Sequence, residues 1–145
     1  MLKIIYGMIS MNEKELFQFI EDWLSHWTGN RPNELLEFYT EDAIYIDPAN
    51  KEGLKGKKEI RPYFTKLLGF YQDWVWKPID VFPTKKGAVV KWICTIPVNG
   101  ETFEEIGVDI VEITDGKIGV NEVYFDRSHM LEAVEKKRKF QKLRL

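Results

Sequence analysis

Chemistry in this chain has to come from carboxylates. The sequence holds only two histidines and one cysteine, and His26, His129 and Cys94 share no spacing with acids that would hold a metal ion. Gly53-Leu54-Lys55-Gly56-Lys57 lacks both the spacing and the terminal hydroxyl of a phosphate-cradling loop, and no Ser/His/Asp triad can be assembled. Two aspartates in apolar settings are left. Asp47 closes the run Ala43-Ile44-Tyr45-Ile46 and precedes Pro48. At the mouth of an apolar pocket a carboxylate has its charged form disfavoured and becomes a stronger base. The same Asp-Pro pair equally suits a turn in which the carboxylate accepts local N–H groups. Asp109 shares its parity with Val111 and Ile113, while Ile106, Val108 and Ile110 form the other parity. Both faces of that strand therefore read as partly buried, and Asp109 either enters a pocket or pairs with a cation across a dimer contact.

The elements that would position these acids follow from periodicity. Asn12 and Glu15 have capping-box spacing, and Leu16, Phe19, Ile20, Trp23, Leu24 and Trp27 recur at helical intervals. After Gly29-Asn30-Arg31-Pro32, Asn33 is the expected cap of a short second helix with Leu35, Leu36 and Tyr39 on its apolar face. Ala43–Ile46 reads as a short strand followed by a loop to Gly56, and 57–68 as a third helix with Pro62 near its first turn. The period then changes to two. Residues 74–82, 88–98, 102–113 and 117–125 read as strands, with Asn99-Gly100 and Asp115-Gly116 as hairpin turns. A last helix starts near Ser128. Helices first and long strands afterwards predict an α+β domain, a cone-shaped barrel of curved antiparallel sheet closed by three N-terminal helices, plus a C-terminal helix.

Parity assigns further candidates. Tyr45 shares the parity of Asp47 and offers a hydroxyl, and Trp92 lies with Val90 and Cys94 opposite Lys91 and Thr95, as pocket lining or core. Asn121, Val123 and Phe125 share one face of the final strand. The 145 residues, 44% hydrophobic and 14% aromatic, suit one domain with a core, and no apolar run approaches a membrane span. Residues 1–11 read as an N-terminal arm or extra strand, with no clear cleavage site after them. The lone Cys94 in an apolar run suggests a cytoplasmic setting. Net charge is −2, which gives no pull toward nucleic acid, and residues 131–145 read as a basic helix and tail.

Residues 12–130 carry a resemblance in the order of their motifs: Glu41-Asp42-Ala43-Ile44-Tyr45-Ile46-Asp47-Pro48, Gly56-Lys57-Lys58-Glu59-Ile60, Gly107-Val108-Asp109-Ile110, Asp115-Gly116-Lys117-Ile118 and Glu122-Val123-Tyr124-Phe125-Asp126. The pattern resembles the nuclear transport factor 2-like superfamily, in its SnoaL-like and ketosteroid-isomerase-like branch. The resemblance implies a homodimer with a hydrophobic pocket for a small apolar ligand, used for isomerisation, cyclisation, hydrolysis or binding alone. It places Asp47 as the general base and Asp109 as the acid that polarises a carbonyl. It turns Asn121 and Phe125 inward, and it puts Trp23 or Asp22 on the first helix, and Phe64 on the third, near where the isomerases have tyrosines, which argues against steroid isomerisation itself. From the residues themselves no metal, cofactor, nucleic acid or membrane is expected. The competing reading is a ligand-binding or dimerisation domain without chemistry.

Overall fold

The structure, a computed structural model, describes residues 11–143, so the expected arm or strand of residues 1–10 lies outside the described residues. Helix α1 (Glu13–Ser25) begins at Asn12, whose Oδ1 accepts the Glu15 N–H at 2.8 Å, and buries Leu16, Ile20, Trp23 and Leu24. Helix α2 (Pro32–Leu36) starts two residues earlier than expected. Arg31 is its N-cap and Pro32 its first residue, where a missing N–H costs nothing, and Asn33 instead accepts from Arg61. Tyr39, expected on the apolar face of α2, is the first residue of strand β1 (Tyr39–Asp47). Strand β2 (Asn50–Lys55) occupies what read as loop. Helix α3 (Gly56–Phe70) places Pro62 in its second turn, where the Lys58 carbonyl loses its usual donor.

Strands β3 (Val75–Pro83), β4 (Gly87–Val98), β5 (Glu101–Thr114) and β6 (Lys117–Tyr124) form the expected antiparallel meander. Its two tight turns have positive φ at Asn99 and Gly100 and at Asp115 and Gly116, the backbone that lets a two-residue loop follow the strand twist. The sheet as a whole is mixed rather than antiparallel. Its order is β2-β1-β6-β5-β4-β3, and β1 runs parallel to β6, joining the two ends of the chain's core. Register shifts in β1, β3 and β5 add bends to the curved sheet.

The concave face carries Val90, Trp92, Cys94 and Ile96 from β4 and Asp109, Val111 and Ile113 from β5, all buried. Ile106 and Ile110 are exposed on the opposite face, which resolves the ambiguous parity of β5: Asp109 points inward. Helix α1 packs on β3 and α3 on β1, while helix α4 (Ser128–Leu143) packs on β4 and β5. His129 Nδ1 at the start of α4 lies 3.1 Å from Glu105 Oε2 on β5. No helix among the described residues is long and apolar enough to cross a membrane.

Gly107 lies opposite Trp92 in the β4–β5 register, and a Cβ there would fall 2.3 Å from the indole. Trp92 is buried, with its ring centroid 5.6 Å from that of Phe125, and its indole N–H is bonded to Asp109. Gly107→Ala is therefore expected to destabilise the domain by about 2 kcal/mol, the usual cost of overpacking. Urea unfolding measures this, and an unchanged midpoint would show that the Trp92 environment is loose.

Candidate functional site

A cavity of ≈ 160 Å³ opens on the concave side of the sheet. Its wall is aromatic, with Trp27 from the end of α1, Tyr45 from β1, Tyr63 from α3, and Trp76 and Trp92 from β3 and β4, and both Asp47 and Asp109 lie on it. Phe125, one residue past β6, stands 5.6 Å from Trp92, and exposed Arg127 and Leu131 sit at the rim. The expected wall residues Tyr45, Trp92 and Phe125 are thus brought together with both acids. Trp23, Phe64 and Asn121 are fully buried behind the lining, not on it. Phe64 supports the wall from behind, with its ring 4.9 Å from that of Trp27 and 5.0 Å from that of Tyr45.

Asp47 is held by five donors. Its Oδ1 accepts the backbone N–H of Ala49 and Asn50 and the Asn50 side-chain amide, at 2.8–2.9 Å. Its Oδ2 accepts the hydroxyls of Tyr45 at 3.0 Å and Tyr63 at 2.6 Å. Oδ1 thus organises the turn, while Oδ2 meets two phenols whose rings lie on the cavity wall. A carboxylate has about four lone-pair sites, so these five donors occupy the hydrogen-bonding capacity of Asp47. Burial, followed by the Asp47 charge, raises the Tyr45 phenol well above its ordinary value, and Tyr63 is raised by burial and by its hydrogen bond to Asp47. Both stay protonated.

Among the described residues Asp109 has two donors, the Trp92 indole N–H to Oδ1 and the Asn121 amide to Oδ2, each at 2.8 Å. Behind it runs a chain of hydrogen bonds. The Tyr39 hydroxyl donates to Asn121 Oδ1 at 2.8 Å and accepts the Trp23 indole N–H at 3.1 Å. Burial lifts the Asp109 carboxyl to about 7; the donors Asn121 and Trp92 oppose that rise, and the Asp47 charge adds to it. With a raised value the folded state keeps a proton that the unfolded state releases.

Sequence reasoning missed Tyr63, Trp27, Trp76 and Tyr39 as members of the site. Tyr63 carries a usable signal, since Ile60, Tyr63, Phe64 and Leu67 form one helical stripe. Tyr39 was masked by its assignment to the preceding helix. The His and Cys residues take no part, and burial raises the Cys94 thiol well out of the reactive range. No cluster of metal-ligating side chains occurs among the described residues.

The stabilising contribution of protonated Asp109 is complete below about 4 and lost as pH rises through about 7. Across that window it amounts to as much as about 4 kcal/mol. Urea unfolding at intervals from pH 4 to 8 is expected to show Asp109→Asn losing this downward slope relative to the unmodified chain. Parallel slopes would mean that the carboxyl titrates normally.

The comparisons with known proteins agree on the fold. A family model described as SnoaL-like domain matches residues 20–120. A protein of ketosteroid isomerase-like fold from Catenulispora acidiphila, solved with trimethylamine, superposes with TM-score 0.70 at 16% identity, over 81% of this chain and 92% of that one. TerC, co-crystallised with polyporic acid, gives TM-score 0.68 at 16% identity, over 83% of this chain and 98% of that one. A putative SnoaL-like polyketide cyclase from Jannaschia gives 0.68 at 14% identity, covering 84% and 92%. No curated protein matches the sequence significantly. With 101 consecutive residues inside the family pattern and the same curved sheet in its structural neighbours, the chain belongs to the SnoaL-like family of the nuclear transport factor 2-like superfamily.

Proposed function

We propose that this chain is a small-molecule pocket protein with acid–base chemistry, in which Asp109 exchanges a proton with a compact, largely apolar carbonyl compound. The observation that carries the reading is the Asp109 carboxyl on the cavity wall with two donors and a value near 7. Near neutral pH such a group is present both as acid and as base, the condition under which general acid–base catalysis is most effective. Asp47, to which the family resemblance gives the base role, serves here as a fixed charge that orients Tyr45 and Tyr63. Among the described residues the Tyr71 hydroxyl and Trp76 indole N–H on the wall have no hydrogen-bond partner, which makes them candidates to receive a carbonyl oxygen. The cavity volume suits a ligand of about one ring, and the three helices before β3 close the cone around it. The relatives named after polyketide cyclisation and crystallised with polyporic acid are consistent with carbonyl-bearing aromatic ligands.

The reading without chemistry shares the pocket and differs at Asp109. Proton exchange at carbon is tested by incubating compact cyclic ketones with the chain in deuterated buffer and following deuterium uptake by NMR. Asp109→Asn is expected to reduce exchange on an accepted ketone at least a hundredfold, and Asp47→Asn to reduce it less. Equal exchange in the Asp109 variant would leave a binding domain, and a larger loss in the Asp47 variant would return the base role to Asp47.

The cytoplasmic setting and the homodimer remain part of the proposal. On the outer face of the sheet Ile106 and Ile110 are 52% and 39% exposed, beside exposed Phe82 and Tyr124, an apolar strip of the kind that marks an association surface. Two copies would bury it in an isologous contact. Ile106→Glu is expected to shift sedimentation from dimer to monomer, and a chain that is already monomeric at high micromolar concentration would refute the assembly.

A further inference from the structure

The two acids on the cavity wall have no counter-charge. Among the described residues the ion pairs are His26–Asp22, Arg31–Glu34, Lys86–Glu112 and His129–Glu105, and none of them involves Asp47 or Asp109. The basic residue on the lining, Arg127, is exposed at the rim. Both acids are nevertheless more than nine-tenths buried. A charge buried without a partner is costly, and the usual remedies are a paired cation or neutralisation. Asp109 takes the second route, since burial and the Asp47 charge keep its proton on. For Asp47 the donors share out the charge, but they are neutral and the field inside the cavity remains negative. That field reaches the phenols, since the Asp47 charge adds to burial in pushing Tyr45 upward.

The aromatic wall has the same sign. The ring of Trp27 lies 6.1 Å from that of Trp76 at 51° and 6.2 Å from that of Tyr45 at 36°, and Trp74 lies 6.2 Å from Trp76 at 42°. These four rings all lie on the cavity wall and are inclined to one another, while Trp74 stacks on Tyr71 with centroids 3.9 Å apart. Ring faces carry the negative lobe of the aromatic quadrupole, and several of them around one point hold an organic cation better than a neutral body of the same shape. A negatively charged ligand would meet two carboxyls and several π faces, with only the exposed rim arginine to balance them.

We propose that the ligand of this cavity carries a positive charge, as a compact quaternary or tertiary ammonium group seated among Trp27, Trp74, Trp76 and Tyr45 with Asp47 as its counter-ion. This rests on the reading of the cavity as a ligand site and adds the charge of the ligand to it. A trimethylammonium head suits the ≈ 160 Å³ volume, which is close to that of a cavity known to hold benzene. The carbonyl compound proposed above would then bear the ammonium close to its carbonyl, where the positive charge also acidifies the neighbouring C–H.

The test compares two molecules of one shape and different charge, choline and 3,3-dimethylbutan-1-ol, titrated into the full chain and followed by tryptophan fluorescence. Choline is expected to bind at least tenfold more tightly. Trp76→Leu should weaken choline about three- to thirtyfold, the range of one cation–π contact, and weaken the alcohol, which loses packing alone, by a smaller factor. Asp47→Asn should erase most of the preference, and the tryptophan variant keeps the test decisive where that protein fails to fold. An alcohol that binds as well as choline, or a cavity that binds neither at millimolar concentration, overturns the proposal. The carboxyl signal of Asp109, read by NMR in the same samples, separates the two proposals. Titration like an exposed carboxyl with choline still preferred removes the proton-exchange function alone; titration near 7 with equal binding removes the cation alone.

Discussion

A carboxyl group enters an apolar interior only when donors meet its oxygens, and the donors that meet Asp109 tie the domain together. Trp92 on β4 and Asn121 on β6 bracket it on β5, so three adjacent strands must keep their register for both bonds to form. Asn121 is held in turn by Tyr39 at the head of β1, and Tyr39 by Trp23 on α1. One chain of buried hydrogen bonds therefore crosses the helix layer, the parallel β1–β6 junction and the meander. Each link removed would leave a buried polar partner unmet, at a cost of about 1–3 kcal/mol. This couples the site to the fold, because the acid keeps its environment only while helix α1 and strand β1 sit in place.

The meander was legible because its signals are local. Alternation fixed which residues of β4 face inward, and Asn99-Gly100 and Asp115-Gly116 fixed two turns through the positive φ that only a few residues adopt readily. The strands around Asp47 were not legible to the same degree. Strand β2, Asn50-Lys51-Glu52-Gly53-Leu54-Lys55, is a mostly polar edge strand without strong β-formers. Its existence depends on the hairpin that Asp47 Oδ1 organises by accepting the N–H groups of Ala49 and Asn50. The parallel pairing of β1 with β6 joins residues about 75 positions apart, as Tyr45 with Asn121, and nothing in a local pattern encodes such a partner. Tyr39 fell on the wrong side of the α2–β1 boundary for the same reason, since its burial against Asn121 is a long-range fact.

At the site, the identities of both acids and of the wall residues Tyr45, Trp92 and Phe125 followed from residue type, parity and resemblance, whereas the rest of the wall and the distribution of donors did not. Asp47 and Asp109 look alike in sequence, each in an apolar strand. Their difference arises from turn geometry in one case and from cross-strand neighbours in the other. Gly107 shows how indirect such information is. Its missing side chain makes room for the Trp92 indole that serves Asp109 two residues further along, a role visible only once the register sets Gly107 opposite Trp92.

The asymmetry between the acids also explains why one hollow accommodates both. Two like charges in a low-dielectric space raise each other's cost of ionisation. Five donors concentrate on Asp47, and its charge joins burial in keeping the proton on Asp109. Had the donors been shared evenly, neither carboxyl would be singled out to titrate near neutrality. Because they are not, the donor-rich carboxyl and the titrating one are different residues on one wall, and a cation entering between the aromatic rings would favour the ionised form of Asp109. Binding and proton release would then be linked by electrostatics alone, without a moving part.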